Sequence, residues 1–123
     1  MKKKLFMLHI EVTFVLIIAS ALFFSAPAEA FECDKLTAWN KTAGPITMNY
    51  SYPRYDGSVI LSPWLEKEIK ISGKQEITRL LFTWSSQRVF GPSGSVDLRG
   101  SQITSCRYKI VWGDGYNLKA EPY

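Results

Sequence analysis

Side chains able to do acid–base, nucleophilic or metal chemistry are sparse in this chain. The one histidine, His9, lies in a run from Met1 to Ala30 that has the layout of a secretory leader. Lys2, Lys3 and Lys4 open it, the stretch from Val12 to Phe24 is almost wholly apolar, and Ala28-Glu29-Ala30 supplies a small-x-small cleavage site. Cleavage before Phe31 leaves a domain from Phe31 to Tyr123 with no imidazole. A Ser-His-Asp or Cys-His relay and the commonest zinc ligand are then missing, and no cofactor or metal is expected.

The carboxylates offer little more. Glu66 and Glu68 are two apart on an expected strand and share a face, as a hydrolase pair would, but strands at a surface commonly carry Glu and Lys outward. Asp34, Asp56, Asp97 and Asp114 each sit beside a turn or a strand end, where Asp bonds local backbone. Gly91-Pro92-Ser93-Gly94 is glycine-rich but lacks the lysine and the helix of a phosphate loop, so it reads as a β-turn. The sequence therefore points to a protein that is not an enzyme.

Cys33 and Cys106 remain. Without a Cys-x-x-Cys spacing to lower a thiol pKa, and in an oxidising compartment, they are expected to pair as a disulfide. The bond would close a loop of about 70 residues, worth roughly 4 kcal/mol in the chain-entropy model, against a total stability of about 5–15 kcal/mol for a small domain.

The leader has rivals. Glu11 to Ala28 is about the minimum length for a retained membrane anchor, but the cleavage motif favours removal. A lipoprotein would place its cysteine at the cleavage point, and Phe31-Glu32 intervenes. Twin-arginine export needs paired arginines where this chain has lysines. The chain is expected to comprise a signal peptide over 1–30 and one domain over 31–123, secreted or periplasmic.

Within that domain no stretch sustains a helical pattern, whereas two-residue alternation recurs between clusters of Gly, Pro, Ser and Asn. Ile46, Met48, Tyr50 and Tyr52 alternate with Thr47, Asn49 and Ser51. Leu65, Ile69 and Ile71 oppose Glu66, Glu68, Lys70 and Ser72, with Lys67 the exception on the apolar side. Cys106, Tyr108, Ile110 and Trp112 share one face, and Arg107, Lys109 and Val111 the other. A first strand is expected over Leu36 to Asn40, and Ile77 to Trp84 is a strand whose Leu80-Leu81-Phe82 run suits burial on both faces. Breaks fall at Ala43-Gly44-Pro45, Pro53 to Ser58, Ser72-Gly73-Lys74, Gly91 to Gly94, Gly100-Ser101 and Gly113-Asp114-Gly115. The fold expected is all-β: a small antiparallel β-sandwich or flattened barrel of about seven or eight strands, stapled by one disulfide between its first and penultimate strand regions.

Binding is the better-supported kind of function. The domain holds Trp39, Trp64, Trp84, Trp112 and six tyrosines. Trp112 and Tyr108, alternating with Cys106, are expected in the core. Tyr52, Tyr55 and Trp64 surround expected loops and are candidate surface contacts, since each offers a large area with a polar tip. The basic excess lies after Lys74, where Arg107 and Lys109 share a strand face with Arg79, Arg88 and Arg99 expected near it. An acidic protein, anionic lipid or a cell-wall polymer fits such a face; a solvated strand face is the plainer reading. Nucleic acid fits poorly with an exported domain of small net charge. Asn40-Lys41-Thr42 and Asn49-Tyr50-Ser51 match the N-glycosylation pattern, usable only in a eukaryotic source.

Three functions follow as expectations. The first is a non-enzymatic inhibitor, immunity protein or accessory surface factor acting on a protein partner. The second rests on a likeness: Asn40-Lys41-Thr42, then Ser93-Gly94-Ser95-Val96-Asp97-Leu98, then Trp112 and Tyr116-Asn117, is similar to the aegerolysin sandwich proteins. Those few short motifs imply a membrane-active, toxin-like β-sandwich. The third is a glycan-binding module using Trp64 and Tyr55 as stacking platforms.

Overall fold

The computed structural model describes residues 31–113 and 117–123. The expected signal peptide over 1–30, and most of the turn expected at Gly113-Asp114-Gly115, lie outside the described residues. The alternating segments fold as β1 (Glu32–Asn40), β2 (Ile46–Tyr52), β3 (Tyr55–Leu61), β4 (Glu66–Glu76), β5 (Arg79–Trp84), β6 (Gly94–Arg99), β7 (Arg107–Trp112) and β8 (Leu118–Pro122), with a 3-10 turn at Gly100–Gln102. They form two four-stranded sheets, sheet A in the order β4-β1-β7-β8 and sheet B in the order β3-β2-β5-β6. Neighbours are antiparallel except β1 and β7, which run parallel.

The two-residue period puts one apolar row from each strand between the sheets. Leu36, Ala38, Tyr108 and Ile110 come from sheet A and meet Ile46, Met48, Leu61, Leu80 and Phe82 from sheet B, all buried. Burying a large aliphatic or aromatic side chain contributes about 1.5–3 kcal/mol, so this layer is the main source of stability. Leu80 and Phe82 face it, while Leu81 is half-buried on the outer face of sheet B. The consecutive apolar run thus serves both faces, as its pattern suggests.

Cys33 and Cys106 form a disulfide across 73 residues. It ties β1 to the residue before β7, beside the main-chain bond from Thr37 N to Cys106 O at 2.9 Å. A structural cystine is consistent with an extracellular or periplasmic location.

Asn40, at the end of β1, joins the two sheets. Its amide Nδ2 donates to the carbonyls of Gly44 (2.8 Å) and Leu61 (2.9 Å), and its Oδ1 accepts from Thr42 N (3.0 Å) and Thr42 Oγ1 (2.6 Å). Asn40 and Thr42 are both fully buried. The spacing that mimics a glycosylation acceptor is therefore a buried polar clamp, and a glycan cannot be carried on Asn40 in this fold.

Several expected boundaries shift. The loop expected over Pro53 to Ser58 contracts to Pro53-Arg54, because Asp56 and Gly57 pair with Ser51 and Tyr50 inside β3. The break expected at Ser72-Gly73-Lys74 is instead a bulge within β4, where the register with β1 jumps between Cys33 and Lys35 and Gly73 takes φ 72°. Leu65, expected on the buried side of that strand, precedes it in a turn and is 60% exposed. Lys67 stays exposed because β4 is a sheet edge, where a charge on the inward register discourages edge-to-edge pairing.

Candidate binding surface

Strand direction sorts the connections into two ends. Residues 41–45, 62–65, 85–93, 113 and 117 lie at one end; residues 53–54, 77–78 and 100–106, with the cystine, lie at the other. The first end carries a concentration of exposed apolar side chains. Trp64 and Leu65 are each 60% exposed, Ile60 is 65%, Val89 41% and Trp112 40%.

Trp64 is held there by an uncommon device. Ser62-Pro63-Trp64-Leu65 is a turn closed by Leu65 N donating to Ser62 O at 3.2 Å. Proline presets the first central residue, and Trp64 takes φ 67° at the second. That left-handed position favours Gly or Asn, because a Cβ crowds the backbone there. The indole is 60% exposed, so most of its surface gains nothing from burial at such a site. Backbone strain of this kind at a residue outside the core is a pointer to function. Its counterpart at the far end is Tyr52-Pro53-Arg54-Tyr55, where Arg54 takes φ 68°.

The longest of the connections at the first end, 85–93, has internal order. Gln87 N donates to Gly91 O (3.0 Å), Gly91 N to Gln87 O (2.6 Å), and Phe90 N to the same Gln87 O (3.1 Å). Arg88 and Val89 form the exposed tip, and among the described residues Arg88 has no ion pair. Phe90 anchors the turn: it is 8% exposed, with its ring 5.9 Å from Trp84 and 6.0 Å from Trp112. A Cβ on Gly44 would lie 2.7 Å from Phe90 Cε2, and one on Gly94 would lie 2.7 Å from Trp84 Cζ2. Each aromatic ring thus rests on backbone that only glycine leaves bare.

Between these rings and the β7–β8 hairpin lies a cleft of about 470 Å³, lined by Trp84, Phe90, Trp112, Ser93 and Asn117 among others. A second hollow of about 390 Å³, with Pro45, Thr47, Ile60, Thr83 and Ser85, adjoins it at Trp84. Trp112, expected in the core, closes the strand at the rim of the cleft instead. Core alternation holds through Tyr108 and Ile110 and lapses where the facing sheet ends.

The sequence-derived candidates do not form one site. Tyr52 and Tyr55 stack at 4.8 Å beside Tyr50, at the hairpin tip opposite Trp64. The seven residues of β3 separate them from it by about 20 Å. Arg107 and Lys109 lie on the outer face of sheet A within a ladder of alternating charge. Lys35 pairs with Glu68 at 2.8 Å, Arg107 approaches Glu66 at 4.0 Å, and Glu121 holds Lys119 at 2.9 Å with Lys109 at 4.0 Å. Tyr123 lies over the Arg107 guanidinium (4.5 Å), neighbours Trp39 (5.8 Å) and donates its hydroxyl to Glu66. Arg107 and Lys109 thus each have a carboxylate within 4.0 Å. Arg79 and Arg99 are not near them: both pair with Asp97 on the outer face of sheet B, at 3.0 and 3.1 Å. The basic excess read along the sequence divides between two opposite faces.

Glu68 is held below the ordinary carboxylate value by the hydrogen bond from Lys35. Glu66 and Glu68 both take part in the charge ladder, through Arg107 and Lys35.

Trp84, Phe90 and Val89 were not singled out as site residues from the sequence, and Arg88, expected near Arg107 and Lys109, lies instead at the tip of the 85–93 connection. The signal for that connection is an apolar Val89-Phe90 pair directly before a glycine-rich turn, while the repeat of Pro followed by a bulky residue at 53–54 and 63–64 marks the two left-handed turns. Comparison with family models, curated proteins and solved structures finds no match to this chain.

Proposed function

We propose that this is an exported, non-enzymatic binding protein that engages a protein partner through the end of the sandwich bearing Trp64, Leu65, Val89 and Trp112. An inhibitor, immunity protein or accessory surface factor for a secreted enzyme fits this arrangement. The observation that carries the reading is Trp64, a large exposed indole kept in a left-handed backbone position. Tryptophan is among the residues most enriched at interface hot spots. The Arg88-Val89 tip supports it as a pre-formed convex element, whose main-chain bonds and Phe90 anchor reduce the ordering cost on binding.

The partner contact is tested by immobilising the disulfide-bonded domain over the extracellular or periplasmic fraction of its source, beside Trp64→Gly, Val89→Asp, Arg54→Gly and Tyr55→Ala. A partner retained by wild type, Arg54→Gly and Tyr55→Ala but lost by Trp64→Gly and Val89→Asp supports the reading. Retention by all variants, or loss with Tyr55→Ala alone, overturns it.

A membrane-active reading draws on the same exposed Trp64, Leu65 and Trp112, with Lys41 and Arg88 in the neighbouring connections. Tryptophan suits the membrane interface and the cations suit anionic headgroups. Trp64-dependent binding to vesicles containing phosphatidylserine or phosphatidylglycerol, with no protein retained, would replace the first reading by this one.

A further inference from the structure

We infer that the cleft between Trp84 and Trp112 is a subsite for a neutral saccharide. This goes beyond the protein-partner reading, which concerns the exposed rim; the saccharide would sit on the cleft's walls.

The first argument is the chemistry of the walls. Trp84, Phe90 and Trp112 form a continuous run of rings tilted by 52° and 49° to each other. Trp112 is 40% exposed and Trp84 half-buried, so both keep indole surface open to the cleft. Ser93, Ser95 and Asn117 add hydroxyl and amide groups, and no charged side chain lines the cleft among the described residues. Among the described residues a phosphate or carboxylate ligand would find no counter-charge here, and an acyl chain would leave the serines and Asn117 facing hydrocarbon. A pyranose matches both halves of the lining. Its C–H face lies against an aromatic ring while its hydroxyls, uncharged donors and acceptors, meet Ser and Asn.

The second argument is the adjoining hollow. It too is lined without charge and carries the hydroxyls of Thr47, Thr83 and Ser85, and it meets the first at Trp84. Thr47, Ile60 and Thr83 share the outer face of sheet B, so the second hollow meets the cleft at the rim residue Trp84, and a longer saccharide would extend from the cleft past that rim onto the sheet face. The cleft volumes, about 470 and 390 Å³, fall in the range of small-ligand sites. The walls are also pre-formed, since Trp84 rests on Gly94 and Phe90 on Gly44. The stacking platform, expected from the sequence at Trp64 and Tyr55, falls in this proposal on two tryptophans that share one cleft.

The test is a titration of the disulfide-bonded domain with neutral oligosaccharides of one to four units, from N-acetylglucosamine, cellulose and starch series. Binding is followed through the four indole N–H signals by NMR. The proposal expects the Trp84 and Trp112 signals to move while Trp64 stays. It expects affinity to rise at least about tenfold from the monosaccharide to the tetrasaccharide, and a similar loss in Trp112→Ala. Ser93→Phe, an exposed loop change that fills the cleft mouth, should abolish binding while its thermal melt matches wild type. No shift of Trp84 or Trp112 with any series at about 10 mM, tighter binding of acidic than neutral sugars, or unaltered binding by Ser93→Phe overturns it. Because Trp64→Gly tests the protein contact separately, failure of either proposal leaves the other legible.

Discussion

Trp64 and Arg54 occupy equivalent backbone positions, each following a proline with φ near 67–68° and each outside the core. A non-glycine residue in this region costs about 1–2 kcal/mol, partly offset by the extra freedom glycine has in the unfolded chain. Trp64→Gly and Arg54→Gly should therefore each stabilise the domain, by about 0.5–1 kcal/mol, measured by urea unfolding. Destabilisation by Trp64→Gly would show that its indole packs usefully and would remove the main ground for assigning it to function. The position of Trp64 was legible in the sequence as an exposed loop aromatic; its strain was not, because Pro-Trp does not by itself specify a turn type. Asn40 shows the opposite failure. The Asn-x-Thr spacing was visible, but its meaning depended on the carbonyls of Gly44 and Leu61, one of them 21 residues away.

At the level of strands, period and punctuation were readable. The all-β fold, the strand count and the link from the first to the penultimate strand all follow from alternation and cysteine placement. What alternation could not supply was which strands become neighbours. Tyr52-Tyr55 and Trp64 look adjacent along the chain, yet one short strand between them sends them to opposite ends. Arg79, Arg99, Arg107 and Lys109 look like one basic cluster, yet the β5–β6 hairpin belongs to sheet B and β7 to sheet A. Sheet assignment is a long-range property, and it decides what a surface contains. The parallel pairing of β1 with β7 makes the cystine a local staple at one end of a long closed loop. Replacing both cysteines by serine should cost roughly 4 kcal/mol, read as a fall in the urea midpoint with the sheet signature retained in the residual native state. A loss below about 1 kcal/mol would mean the unfolded chain is already restrained.

Across the whole molecule, the ion pairs among the described residues lie on the two outer faces of the sandwich. Asp97 is held below the ordinary Asp value by hydrogen bonds from Arg79 and Arg99, Glu68 is lowered by Lys35, and Glu121 by Lys119. Carboxylates lowered on folding stabilise the native state above their unfolded pKa of about 4 and lose that contribution as pH falls through and below it. Tyr50 is raised by burial and then by Tyr55, and Tyr123 by burial and then by its bond to Glu66. Their contribution is complete below about pH 10 and is lost as pH rises further. The melting temperature should hence be level between about pH 5 and 9 and fall on either side. Asp97→Asn should soften the acid limb; an unchanged acid limb would show that the Arg79–Asp97–Arg99 cluster is worth nothing in solution, as exposed pairs sometimes are.

The account's central claim is that binding resides at the Trp64 end. The most direct measurement compares partner retention by the two strain-matched variants, Trp64→Gly and Arg54→Gly, in their folded, disulfide-bonded forms. Loss of the partner with Trp64→Gly and full retention with Arg54→Gly is the predicted result. Retention by Trp64→Gly, or equal loss from both, would contradict it.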